Sequence, residues 1–364
     1  MKKRKVLLVD IGVPFGGVEI YVRNLSRLLQ DEVDFFVLCV NPQLTASLRE
    51  LNLPLFALIS ARNWPRIGQI IASLVILFFA KLRYGIDTVW INGYSEMALL
   101  PFARLLGCNA IATRPLTLDV EDGKGIRIWK RHAAQLLYRK LAGAAHKIVC
   151  VSETVASDVV KFLPSRKVCV IPYWIPALPE TVWHPRPGGD PVRLLFVGRL
   201  EEYKGAQLIL SAMRQLSSVP LSLTVVGDGT YRQALEREAE GLNVKFAGLQ
   251  QDTSTFYKEA DLFINPTLGP EGLPIVGLEA MSHGLPCILS DLPCNKELAD
   301  NGRRAALLFR RGDSADLRSK IELFISSPQV SERYGRAARQ VIEEKYSLEV
   351  ARSSYVKEVR SWKA

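Results

Sequence analysis

Residues 261–290 read DLFINPTLGPEGLPIVGLEAMSHGLPCILS. Asp261–Pro266 has the short apolar character of a buried strand, a Gly-Pro turn follows, and an apolar helix leads to a second strand at Pro286–Ser290. A strand, a helix and a strand in one direction form a parallel unit whose sheet is covered on both faces. Two glutamates, Glu271 and Glu279, stand in this unit with seven residues between them. Gly272, Leu273 and Pro274 sit where the helix begins, and Pro suits a first turn. The start of such a helix offers free backbone N–H groups and a positive dipole end, which together suit a diphosphate. Glu271, before the helix, is placed to accept hydrogen bonds from sugar hydroxyls, and Glu279 to accept from both hydroxyls of a ribose.

The same alternation extends along the rest of the chain. On the N-terminal side, strands are expected at Lys5–Asp10, Val33–Val40, Leu53–Ile59, Asp87–Asn92, Asn109–Arg114, Lys147–Ser152 and Lys167–Tyr173, with a helix at Gly17–Gln30. Six prolines then fall between Pro172 and Pro191, too dense for a helix or a central strand, and mark an interdomain linker. Beyond it, strands are expected at Arg193–Gly198, Leu221–Val226, Asn243–Ala247 and Ala305–Phe309 besides the two above. The expectation is an α/β chain of two Rossmann-like, doubly wound domains. Residues 1–175 form the first and 176–346 the second, and the rest of the chain is helical. Ligands of such sheets bind beyond the carboxyl ends of the strands, so two domains facing each other place the site in the cleft.

Two cations, Arg199 and Lys204, follow the strand that ends at Val197-Gly198. Fixed there, they stabilise the negative charge developing on a departing nucleotide diphosphate and take the part a metal would play. Gly16-Gly17 opens the first helix and lets backbone approach a phosphate or sugar. Val226-Gly227-Asp228-Gly229 makes a similar turn after a strand, equally compatible with a purely structural role.

Composition narrows the function classes. The 364 residues carry a formal charge of +10, which favours anionic partners. The charge is scattered apart from Lys2-Lys3-Arg4-Lys5, and no nucleic-acid-binding signature occurs, so no nucleic-acid partner is expected. Five of the six cysteines lie in apolar stretches and none forms a Cys-x-x-Cys pair, as in a reducing compartment. The four histidines form no metal-ligand cluster, and Asp119-Val-Glu121-Asp122 does not make an Asp-x-Asp motif. No metal and no tightly held cofactor are expected. Asp10 interrupts the apolar run after the basic N-terminus, which therefore reads as a first strand, and the protein as cytoplasmic. Ile70–Ala80 contains one polar residue, Ser73, followed by Lys81 and Arg83. It is either a buried helix or one lying in a membrane surface. A basic stretch from Arg127 to Lys147, with Leu136, Leu137 and Leu141, is either a solvated amphipathic helix on the sheet or one that lies on an anionic membrane and presents a lipid-linked acceptor.

The sequence resembles the family 4 retaining glycosyltransferases of the GT-B fold. The motifs that carry the resemblance are Gly16-Gly17-Val18-Glu19, Val151-Ser152, Phe196-Val197-Gly198-Arg199 with Lys204-Gly205, Val225 to Gly229, and Glu271 to Pro286. The resemblance implies transfer of a hexose-type sugar from a UDP- or GDP-linked donor to a glycan or lipid-linked acceptor, with the anomeric configuration kept. It gives Glu271 the donor sugar, Glu279 the ribose, and Arg199 and Lys204 the diphosphate. Backbone at Leu273, Pro274, Ile275 and Val276 would cradle phosphate, Gly248-Leu249 would lie near the base, and Gly16 and Gly17 would close over the diphosphate. Relatives place a histidine after the fifth strand of the first domain, where this chain has Arg114. An arginine there suits a carboxylated donor sugar or a phosphate on the acceptor, or marks altered or lost activity. A cell-surface polysaccharide or lipopolysaccharide intermediate, built at the cytoplasmic face of an inner membrane with anionic lipid, is the expected setting. The competing readings are an inactive GT-B scaffold, a different nucleotide-using enzyme and a non-enzymatic membrane adaptor. The lack of a Gly-x-Gly-x-x-Gly turn argues against a dehydrogenase.

Overall fold

The computed structural model describes residues 3–11, 17–93, 95–116, 136–180, 182–184, 191–300 and 304–362. The chain divides into two compact units, Met1–Tyr173 with Ala351–Ala364, and Trp174–Val350.

The first unit runs β1 (Arg4–Asp10), α1 (Gly17–Leu28), β2 (Val33–Cys39), α2 (Pro42–Arg49), β3 (Leu55–Ala57), α3 (Arg66–Tyr84), β4 (Thr88–Asn92), α4 (Leu99–Leu105) and β5 (Asn109–Arg114). A helix described over 136–142, α5, comes next. β6 (Lys147–Cys150), α6 (Glu153–Val159) and β7 (Val168–Val170) complete its sheet. The strands pair in the order β3-β2-β1-β4-β5-β6-β7, and every pairing is parallel. Val6–Val9, Val37–Cys39 and Val89–Ile91 are fully buried, which is why these strands read as unbroken apolar runs. Asn41 caps α2 by accepting from the amides of Gln43 and Leu44, with Pro42 at the first helical position. Ser152 caps α6 by accepting from Val155 at 3.2 Å.

The second unit runs β8 (Val192–Val197), α7 (Ala206–Gln215), β9 (Leu221–Val226), α8 (Arg232–Glu238), β10 (Val244–Gly248), α9 (Ser254–Glu259), β11 (Leu262–Asn265), α10 (Ile275–Ser282), β12 (Cys287–Ser290), α11 (Pro293–Leu298) and β13 (Leu307–Phe309). α12 (Ser314–Ser326) and α13 (Pro328–Lys345) complete this unit, and α14 (Leu348–Ser361) belongs to the first unit from Ala351 on. The sheet order is β10-β9-β8-β11-β12-β13, again parallel throughout. Leu194, Phe196, Leu223, Val225, Ile264 and Ile288 form the core with Ile209, Met213, Leu317 and Ile321 of α7 and α12. Both sheets are α/β, with the strand order reversing beside the first strand of each, and this is where loops diverge to make room for ligands.

The bounds of two elements differ from the expectation, and the proline-rich stretch, expected as a linker, makes fixed contacts where it is described. Ile175 bridges to Ser347, the Trp183 amide donates to the His283 carbonyl at 2.8 Å, and Arg339 donates to the Pro179 carbonyl at 3.0 Å. Pro185 and Pro187 lie outside the described residues. α1 ends at Leu28 rather than Gln30, because Glu32 and Val33 turn back to bond the Leu29 carbonyl. β3 is three residues long, shorter than the Leu53–Ile59 run, because the chain enters a 3-10 turn at Ile59.

α14 packs within the first unit. The Tyr355 and Tyr21 hydroxyls lie 2.8 Å apart, Trp362 meets Trp90 edge-on, and Arg360 pairs with Glu32 at 3.0 Å. The cysteines Cys39, Cys108, Cys150, Cys169, Cys287 and Cys294 are all free thiols, and burial raises the pKa of each.

Candidate functional site

The carboxyl ends of β8, β9, β10 and β11 and the start of α10 carry most of the residues singled out above. β8 ends at Val197, and Gly198 continues the sheet edge by donating its amide to the Val226 carbonyl at 3.0 Å. Gly227 lies with φ at 133°, and a Cβ there would strike the Gly198 carbonyl. The two turns therefore nest backbone on backbone, and only glycine permits it. Gly227 also donates to the Gly248 carbonyl at 2.8 Å. Gly248 ends β10 with φ at 71°, which turns the chain outward and leaves Leu249 exposed.

After Gly198 come the two cations. Arg199 is exposed and donates to the Tyr203 hydroxyl at 2.7 Å. Lys204 closes a 3-10 turn, and Gly205 caps α7 with φ at 78°, its backbone pressed against the Pro266 carbonyl. That contact ties the turn after β8 to the end of β11. The Tyr203 carbonyl strengthens it by accepting from the amides of Leu268 and Gly269.

Glu271 sits on the loop between β11 and α10, and its Oε1 pairs with Nζ of Lys204. Both side chains are mostly buried, at 11% and 19% exposure, so neither charge is fully screened by water. Gly272, Leu273 and Pro274 are buried beneath the loop. Pro274 is the cap of α10 rather than its first helical residue, and Ile275 and Val276 supply the first helical amides. Helical amides at these positions have no carbonyl one turn back to bond. No side chain caps them, so they remain available to an anion.

Glu279 lies one turn further along α10, nearer the start than two turns. Its Oε2 accepts from the Tyr257 hydroxyl at 2.8 Å. Burial raises its carboxyl above the ordinary range, while the Tyr257 and Thr253 hydroxyls pull it back down. Tyr257 is fully enclosed, and its ring stacks on His283 with centroids 5.5 Å apart. Burial, aided by Lys258 and Arg339, pushes the His283 imidazole down to about 4, so it is neutral at physiological pH.

The second unit thus brings together Arg199, Lys204, Glu271, the first turn of α10 and Glu279, with Gly198, Gly227 and Gly248 shaping the floor. Gly16 lies outside the described residues, and Gly17 is the first residue of α1 in the first unit. Arg114 also lies in the first unit. It ends β5, is 1% exposed, and its guanidinium lies over the Tyr138 ring at 4.4 Å. That stack, worth about 2 kcal/mol when desolvated, holds the charge inside the domain. Arg127, Lys130 and Arg131 of the basic stretch lie outside the described residues. Tyr203 and Tyr257 carry no sequence signature and were not anticipated. Nor was Asn265 at the end of β11, whose Nδ2 is buried without a hydrogen-bond partner among the described residues. Among the described residues no group of three or more His, Cys, Asp or Glu is arranged to hold a metal ion.

Two family models match the chain. Residues 191–327 match the family Glycosyl transferases group 1, and residues 15–177 match Glycosyltransferase Family 4. Sulfoquinovosyl transferase SQD2 of Arabidopsis thaliana is 31% identical over 169 residues, covering 45% of this chain and 32% of that protein. Phosphatidyl-myo-inositol mannosyltransferase of Mycobacterium leprae is 30% identical over 171 residues, covering 45% and 44%. The chain thus spans less than half the length of these curated relatives. Among solved structures, Anabaena HepE in complex with UDP and glucose superposes with a TM-score of 0.82 at 16% identity, over 99% of this chain and 100% of that one. The fold is of the GT-B type, as the sequence resemblance implied.

Proposed function

The chain belongs to the group 1, family 4 glycosyltransferases, and on that premise we propose that it moves a hexose from a nucleotide diphosphate sugar to a glycan or lipid-linked acceptor with retention of configuration. The observation that carries the proposal is the Lys204–Glu271 pair set at the open first turn of α10, with Glu279 one turn beyond. Cation, carboxylate, free amides and a second carboxylate in that order suit a diphosphate, a sugar and a ribose.

Each part has a role in the proposal. Arg199 and Lys204 neutralise the diphosphate and the charge that grows on it as the bond to the sugar breaks. The Ile275 and Val276 amides add the helix dipole to the same charge. Pairing with Glu271 holds the Lys204 ammonium in place before the donor arrives, so little side-chain entropy remains to be lost on binding. Glu271 has a second carboxylate oxygen for a sugar hydroxyl, and Glu279 accepts from the ribose. The bends at Gly248 and Leu249 suit the base. Positive charge supplied by side chains removes the need for a metal.

The step proposed is substitution on one face of the sugar. The acceptor oxygen bonds to the anomeric carbon as the bond to the phosphate oxygen breaks, and the acceptor proton passes to that phosphate oxygen. No side chain has to act as base. UDP is the first donor nucleotide to try, since HepE is described with UDP and glucose. The direct test is slow donor hydrolysis, followed by NMR, with UDP- and GDP-linked hexoses and no added metal. Release of the sugar with its anomeric configuration initially retained, and loss of that release in Lys204→Ala, is the expected result. Initial release of the opposite anomer would sink the retaining mechanism.

A further inference from the structure

α3 is built the wrong way round for a helix of a water-soluble domain. Its inward residues are Gln69, Ser73, Leu77 and Ala80, while Ile67, Ile71, Val75, Phe78, Phe79 and Leu82 are exposed by 41–67%. At 3.6 residues per turn these six exposed side chains fill an arc of about 120°, and the four inward ones are centred on the opposite side. The apolar stripe runs about 22 Å along the axis. Exposed leucines scattered singly mean little, but a continuous apolar face of this kind marks an interaction surface.

The inward face is firmly attached, so the outward stripe is not an accident of a loose helix. The Gln69 amide donates to the carbonyls of Ala61 and Arg62 at 3.0 and 3.1 Å, and the Ser73 hydroxyl donates to the Gln69 carbonyl at 2.7 Å. Arg66 donates to the Ile11 carbonyl beyond β1. The Ser73 bond lies within the helix, while the Arg66 and Gln69 bonds, with Leu77 and Ala80 buried on the same face, pin one side of α3 to its domain. Its composition would let a free helix cross a membrane, yet this attachment leaves only one side for lipid.

Charge identifies what covers the stripe. From Leu51 to Ile86 the chain contains Arg62, Arg66, Lys81 and Arg83 and no acidic residue at all. On the helix wheel Lys81 and Arg83 fall on either side of the apolar arc. Trp64 is exposed just before the helix and Tyr84 at its end, the positions where aromatic side chains settle at a headgroup boundary. A second copy of the chain fits poorly. Antiparallel pairing of two such helices would bring Arg62 and Arg66 against Lys81 and Arg83, with no carboxylate on the segment to offset them.

We propose that α3 lies in the plane of an anionic lipid bilayer, its Ile67-to-Leu82 stripe in the acyl boundary and its flanking cations at the headgroups. The surface is independent of the transfer reaction, and its test contains no nucleotide, so failure of either proposal leaves the other standing.

The test is flotation of the whole chain with vesicles of phosphatidylcholine and phosphatidylglycerol, at low and high salt. The wild type is expected to float at low salt and less at high salt. The triple variant Ile71→Gln, Phe79→Gln, Leu82→Gln should lose about tenfold or more in bound fraction with an unchanged Tm, since all three side chains are already in water. A second variant, Arg62→Gln with Arg83→Gln, should weaken binding to anionic vesicles and flatten its salt dependence while binding to neutral vesicles stays the same. Flotation of the triple variant equal to wild type would overturn the proposal. So would a wild type that stays with the buffer at low salt and sediments as a dimer that the triple variant dissociates.

Discussion

Glu279 sets a carboxylate in a half-buried place, where burial raises its pKa above the ordinary 4.5. A carboxyl raised on folding contributes stability below its unfolded pKa and loses it as pH rises through the folded value. At neutral pH the charged form therefore works against folding, a cost that the proposed binding of a ribose would offset. Glu279→Gln is expected to raise Tm at pH 7, by calorimetry, while weakening nucleotide affinity by about tenfold or more. A lower Tm with unchanged affinity would contradict this. Tyr257→Phe removes the hydroxyl that lowers the Glu279 pKa, so nucleotide binding should lose its carboxylate at a higher pH than in wild type. His283 behaves in the opposite sense. Its pKa is depressed to about 4 from 6.5, so its contribution is complete above 6.5 and is lost as pH falls towards 4. Urea melts should show the second unit about 2 kcal/mol less stable at pH 5 than at pH 7 from this group alone. His283→Gln should reduce that difference.

The turns after the strands are where single atoms decide whether an element closes. At Gly227 an added Cβ meets the Gly198 carbonyl, and at Gly205 it meets the Pro266 carbonyl, both with positive φ. Gly241 also has positive φ, at 79°, but has open space around it. Alanine at Gly241 should cost about 1 kcal/mol, and at Gly205 or Gly227 about 3 kcal/mol or more. Equal costs by denaturant melts at the three positions would show that backbone conformation alone matters and that the turns do not nest. Elements of this kind were readable in the sequence to different degrees. Every described strand was legible, the central ones because a parallel strand buried on both faces is an unbroken apolar run, and the half-buried β3, β7 and β10 because turn residues bound them. The placement of Glu271 before the start of α10 and of Glu279 within it was legible too, from the Gly-Pro turn and the apolar run that follows. Tyr203 and Tyr257 were not, since each acts through one hydroxyl or carbonyl that meets its partner only after two loops fold together. The polarity of α3 was open for a similar reason. Its composition suits either burial or lipid, and only the burial of Gln69, Ser73, Leu77 and Ala80 shows which side faces in.

At the scale of the whole molecule, the two units carry different duties in the proposed account. The second holds the donor through Arg199, Lys204, α10 and Glu279, and the first presents α3 to a membrane. The formal charge of +10 suits both an anionic donor and an anionic surface. The central claim is that the second unit grips a nucleotide diphosphate without metal. The measurement that tests it most directly is a thermal-shift series with UDP, GDP and ADP in a metal-chelating buffer, on wild type, Arg199→Ala and Lys204→Ala. A ligand that binds only the folded chain raises Tm in proportion to its occupancy. The account predicts a clear rise with one nucleoside diphosphate in wild type, and its loss or near loss in both variants. A rise of the same size in the variants, or one that appears only when a divalent metal is restored, would contradict it.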